Sequence, residues 1–142
     1  MFKLIHTGAG DMPATLYLPA GAITPKIGMG LALNSSGQLA ASAKPQYISL
    51  FEGVAALAAG TTIPVIKIEQ DMVFESALDG ATTLKAGALA DVASGGLLID
   101  GDGTTNKVFL IEWLEGSAQG NKVRGRFVRS DGEDNVDATA AT

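Results

Sequence analysis

The chain has 142 residues, 46% of them hydrophobic and 18% charged, with a net charge of -5 at neutral pH. That length and mixture suit one compact domain and exclude wholesale disorder, while the acidic balance argues against broad attraction to nucleic acid or anionic membrane. Cysteine is absent and His6 is the one histidine, which excludes disulfides, thiolate metal sites, a cysteine nucleophile and a histidine-rich zinc site.

Taken in chain order, the apolar residues fall in runs of about four to eight, bounded by Gly, Pro, Asn, Asp or Ser, without helical spacing over a dozen positions. This predicts an all-β fold, a small barrel or sandwich with little or no helix. Strands are expected at 2–6, 15–18, 26–33, 38–41, 47–52, 63–69, 72–76, 88–93, 97–100, 107–115 and 122–129. The first of these lies in a segment, 1–14, that reads equally as an N-terminal arm or as an edge strand. Its apolar start is too short for the core of a signal peptide, and no later run approaches a membrane span; a soluble, cytosol-made protein is expected. The segment "GVAALAAG" at 53–60 is Ala-rich and suits a short helix or a loop. Between 108 and 114 the apolar residues are nearly continuous, as a strand covered on both faces requires. In 122–127 Lys122, Arg124 and Arg126 alternate with Val123, Gly125 and Phe127, so one face is wet and one dry. The acidic tail, 130–142, has no apolar period and is expected to be flexible.

Two stretches repeat. "GAITPKIGMGLALNSSGQLAAS" at 21–42 and "GATTLKAGALADVASGGLLIDG" at 80–101 agree at eight of twenty-two positions when set 59 residues apart, where composition alone gives roughly two. "NSSGQ" and "ASGGL" within them read as hairpin tips with Gly where positive φ is needed. A single domain over 15–129, built from two related four-stranded halves at about 15–76 and 77–129, is therefore expected, each half burying the other's apolar face.

Chemistry is sparse. "DGDGTTN" at 100–106 has oxygen ligands at alternating positions, but Ile111 stands where a calcium loop needs a bidentate acid, so a plain turn is favoured. Asp71, Glu75 and Asp79 read as solvated carboxylates rather than an acid/base pair. The row Lys122, Arg124, Arg126 and Arg129 reads as a solvated face pairing with Glu112 and Glu115 across a hairpin. No nucleophile elbow, phosphate loop or dinucleotide fingerprint in its proper context is present. The expectation is a non-enzyme without catalytic, cofactor or metal residues.

The order "GAITPKIGMGLALN", "GQLAASAKPQYISLFEGVAALAAGTTIPVIKIEQDMVFES", "GATTLKAGALADVASGGL" and "GNKVRGRFV" resembles small structural proteins encoded in the head gene clusters of tailed bacteriophages, particularly those of Gram-positive hosts. These are capsid decoration, or cement, proteins. The resemblance runs over about 15–128, and "KPQYISL" and "IPVIKI" are its most telling strings. It implies a non-enzymatic β-barrel module, made in the host cytoplasm, that docks on the outside of the phage capsid. There it binds the major capsid protein, often as a trimer, and strengthens the shell without touching nucleic acid or membrane. Phe2, Lys3, Leu4 and Ile5 are the residues the segment 1–14 offers as a capsid contact. The other reading is a head-fibre or tail-associated module recognising a host surface glycan. It needs exposed aromatics, for which Tyr17, Tyr47 and Trp113 are the candidates.

Overall fold

The computed structural model describes residues 1–8, 10 and 12–128. The tail 130–142 and Arg129 lie outside the described residues. Eleven strands, and no helix among the described residues, follow in order: β1 (Lys3–His6), β2 (Leu16–Ala20), β3 (Gly30–Leu33), β4 (Leu39–Ala41), β5 (Tyr47–Ser49), β6 (Thr61–Lys67), β7 (Val73–Ala77), β8 (Leu89–Val92), β9 (Ile99–Asp100), β10 (Phe109–Leu114) and β11 (Lys122–Phe127). Each overlaps one of the eleven expected runs. The segment 53–60 is a loop, held open by hydrogen bonds from the Gly53 N–H to the Pro25 C=O (2.7 Å) and from the Leu57 N–H to the Ile23 C=O (2.8 Å). Flanking glycines and a few alanines cannot offset the cost of nucleating a helix there.

Strands β2, β4, β3, β5 and β6 close into a five-stranded barrel, and the remaining six form a sheet in the order β1-β7-β11-β10-β8-β9. The barrel and the sheet share one wiring. In the barrel Ala20 pairs in parallel with Leu39, Leu31 lies opposite Tyr47, and Tyr47 opposite Lys67. In the sheet Leu78 bridges in parallel to Ile99, Ala90 lies opposite Phe109, and Phe109 opposite Phe127. Carrying β2 to β7, β3 to β8, β4 to β9, β5 to β10 and β6 to β11 reproduces each pairing of the barrel. Five strands, not four, make the repeated ring, because the strand ahead of each repeated stretch closes it. The division between the rings consequently falls between β6 and β7, ahead of the expected break at 76.

The repeated turn chemistry has equivalent geometry. Gly37 and Gly96 both sit at φ +74°, the left-handed region in which a side chain is strained. In the first hairpin the Asn34 carboxamide oxygen accepts the N–H groups of Ser36 (2.9 Å) and Gln38 (3.1 Å), so the side chain finishes what the tight turn leaves open. The second hairpin tip touches the first ring, for the Gly30 N–H donates to the Gly96 C=O at 2.7 Å.

Two apolar clusters follow. One fills the barrel with Ala20, Met29, Leu31, Leu39, Tyr47, Ile63 and Val65. The other centres on Phe74, Phe109 and Phe127 in the second ring and takes in Ile48, Ile66 and Ile68 from the first. On β6, then, Ile63 and Val65 face the barrel interior while Ile66 faces the neighbouring ring. This strand, with β5, is covered on both faces, which explains the apolar string "IPVIKI". Strand β10, expected to be so covered, is not. Between Ile111 and Trp113 its register with β11 shifts, and this bulge turns the side-chain alternation over. Phe109 and Ile111 are fully buried, whereas Trp113 is 42% exposed.

Candidate interaction surfaces

Segment 1–14 supplies β1, an outer strand of the six-stranded sheet, with Lys3 opposite Glu75 and Leu4 opposite Phe74. Phe2 is 2% exposed. Its ring lies 5.1 Å from that of Phe127 and 5.9 Å from that of Phe109, and its N–H donates to the Gly28 C=O at 2.9 Å. Of the four expected contact residues, Phe2 is therefore sealed between the rings and Leu4 packs partly buried against the same cluster. Lys3 and Ile5 remain on the surface. Burying Phe2 contributes about 2–3 kcal/mol of transfer free energy, which a contact made by this side chain would forfeit.

A better-exposed apolar surface lies elsewhere. The loop after β5 carries Leu50, Phe51 and Val54, which are 40%, 36% and 101% exposed. It is not slack. The Ser49 hydroxyl, wholly buried, donates to the Phe51 C=O and accepts the Phe51 N–H, both at 3.0 Å. The Glu52 carboxylate accepts the Ile27 N–H (2.9 Å) and pairs with the Lys26 ammonium (3.2 Å); these two partners hold its pKa below the usual glutamate value. The ties bring the Ile27 backbone beside the loop, and the Ile27 side chain is itself 44% exposed. The expected strand 47–52 thus ends at Ser49, and the exposed loop that follows it has no counterpart among the sequence-based expectations. Alternation that breaks off at Phe51 and Glu52, before a run of Ala and Gly, was the available signal.

A second surface surrounds Trp113. An open cleft of about 460 Å³ is lined by Leu84, Lys85, Glu112, Trp113, Leu114 and Ser117 among others. The Arg124 guanidinium lies 5.0 Å above the Trp113 ring and pairs with Glu75 at 2.8 Å, which holds the Glu75 carboxyl below its usual range. Arg126 pairs with Glu112 at 2.8 Å. The basic row is thus a laced, solvated face, with Glu75 taking the place expected of Glu115; the Glu115 carboxylate instead accepts the Lys122 backbone N–H at 3.0 Å. Of the other candidate aromatics, Tyr17 is 67% exposed and Tyr47 is buried.

The remaining polar candidates have structural partners. The Asp91 carboxylate, 5% exposed, accepts the N–H groups of Thr105 (3.0 Å), Asn106 (3.0 Å) and Lys107 (2.7 Å), and so folds the loop 100–106 that had suggested a cation site. Asp79 accepts the Gly101 N–H at 3.1 Å. The Asp102 carboxyl is raised from its usual value by its hydrogen bond to Asp100 and by that group's charge. Among the described residues no three His, Cys, Asp or Glu side chains are grouped to hold a metal ion, and no helix is long and apolar enough to cross a membrane. His6 is exposed, its Nδ1 2.9 Å from the Thr7 C=O.

No family model, curated protein or solved structure matches the chain.

Proposed function

We propose that the chain is a non-enzymatic structural protein that binds the outer surface of a bacteriophage capsid through the major capsid protein and stabilises the shell. The observation that carries this reading is the exposure of Leu50, Phe51 and Val54, large apolar side chains on a loop fixed by backbone, hydroxyl and carboxylate ties rather than left loose. Exposed apolar side chains on an ordered loop of a β scaffold suit docking to a protein surface, because little conformational entropy is lost when they are covered. The sequence resemblance supplies the partner and the setting, the virion exterior, and favours a trimeric arrangement. Sedimentation with expanded, DNA-filled capsids tests the reading. The parent chain should travel with the shells, and Phe51→Ser with Val54→Ser should weaken that association at least roughly tenfold, as expected for central apolar anchors. A parent chain left in the supernatant contradicts it.

One observation favours a second reading, a module that recognises a host surface glycan. Trp113 is half-exposed beside an open cleft with polar groups at its rim, the arrangement by which aromatic rings stack on sugars. Arg124 already lies over that ring, however, so a sugar would have to displace it or use the other face. A shift of Trp113 fluorescence on adding host cell-wall glycan is expected only under this second reading.

A further inference from the structure

We infer that the outer edge of β2 is a strand-acceptor site, and that its occupant is an extended segment of a partner protein with large apolar side chains at alternate positions. The inference stands on the geometry of the two rings and goes beyond the capsid reading. Ala20 and Leu78 hold the same place, since each makes the parallel bridge that closes its ring, to Leu39 and to Ile99 respectively. Four residues back along each strand stand Leu16 and Phe74; three residues back stand Tyr17 and Glu75. In the second ring that place is occupied. Strand β1 lies along it, Lys3 opposite Glu75 and Leu4 opposite Phe74, and β1 brings Phe2 and Leu4 over the core so that Phe74 is wholly buried.

The first ring has the same edge without the strand. Leu16 is 37% exposed, and beside it opens a cleft of about 300 Å³ lined by Pro13, Ala14, Leu16, Lys67, Glu69 and Met72. Lys67 stands where Phe127 stands in the second ring, as their pairings with Tyr47 and Phe109 show, so this mouth lacks both the added strand and an aromatic. The backbone points the same way. The Gly21 N–H donates to the Leu39 C=O at 2.9 Å, and alternation along a strand then aims the N–H and C=O of Tyr17 and Thr15 to that side, away from β6. Among the described residues nothing pairs with them there. Pro19, also on that side, needs no acceptor. An unpaired edge flanked by an apolar cleft is the setting for strand addition. The chain's own β1 defines the chemistry of the occupant, with Phe2 and Leu4 inward and Lys3 outward. A second copy's β1 is not assigned, because Phe2 is already buried at home.

The test uses the ¹⁵N-labelled full chain and, as probe, a peptide with the sequence of residues 1–8. Saturating peptide should shift the Thr15 and Tyr17 amides and slow their hydrogen exchange roughly tenfold or more, and a peptide with serine in place of Phe2 and Leu4 should not. Tyr17→Pro, and independently Thr15→Pro, each removes an outward-facing N–H and should abolish the response, while Tyr17→Thr retains it. The inference is overturned if saturating peptide leaves both amides unchanged, if the changes fall at 73–75 through replacement of β1, or if the folded proline variants respond like the parent. Self-association of the chain that Tyr17→Pro abolishes would make a second copy the occupant and overturn the assignment to a partner protein.

Discussion

Single side chains fix where the N-terminal segment packs. Phe2 is fully packed in the core and tilts against two rings, Phe127 at 5.1 Å and Phe109 at 5.9 Å, so Phe2→Ala should cost about 3–5 kcal/mol of stability in chemical denaturation. Lys3→Ala, on the exposed side of the same strand, should stay within about 0.5 kcal/mol; equal losses for the two would contradict the burial described. Around Trp113, Arg124→Ala removes the cation from the ring face and should move the indole emission to longer wavelength as water reaches the ring, with a stability change of at most about 1 kcal/mol. An unchanged spectrum would show that the guanidinium does not shield the ring. Glu75 gives a pH dependence of defined sign. Its folded pKa is depressed, first by the Arg124 hydrogen bond, so its contribution is complete above the ordinary glutamate value of 4.5 and is lost as pH falls through the depressed one. Asp102, raised by Asp100, acts in the opposite sense and should be relieved on acidification. Glu75→Gln should therefore flatten the acid limb of a stability profile, and Asp102→Asn should steepen it.

Among the elements, the periods that water imposes were the ones legible beforehand. Strand β11 alternates because one face is laced by ion pairs and the other is core, and the hairpin at 34–38 announces itself through Asn34 and Gly37. Two things were not legible. The doubly covered strand was expected at 108–114, yet a bulge at Glu112 lets one strand serve the core with Ile111 and the surface with Trp113. A run of apolar letters carries no mark of that register shift, which depends on β11. The reverse held at β6, where the facing ring rather than the strand's own sequence decides that Ile66 is buried. The repeat made equivalent glycines visible, but their contacts differ. A Cβ on Gly37 meets open space, whereas one on Gly96, at the same φ, would lie 2.6 Å from the Gly30 carbonyl oxygen. Gly37→Ala should cost about 1 kcal/mol of backbone strain. Gly96→Ala should cost more, and the excess, read from paired denaturation midpoints, measures the contact between the rings. Equal costs would mean that contact gives way freely.

At the scale of the molecule, one arrangement has been used twice and then differentiated. The second ring buries its aromatics under β1 and against the first ring's outer wall, while the first keeps an open mouth, a β2 edge unpaired at Thr15 and Tyr17 among the described residues, and exposed Leu50, Phe51 and Val54. Because Ile48 and Ile66 belong to the second ring's cluster, the rings should unfold in one transition, with calorimetric and van't Hoff enthalpies equal. Two resolved transitions would contradict the shared core. The shape was readable from residues because glycine, proline and alternation report on backbone and burial; the exposure of Leu50, Phe51 and Val54 was not, since these residues look like core in a string of letters. The most direct test of the functional reading is the temperature at which capsids release their DNA with and without this protein bound. Decorated shells should withstand higher temperature, and the gain should vanish with Phe51→Ser and Val54→Ser together. Identical release temperatures for bare and decorated shells would contradict it.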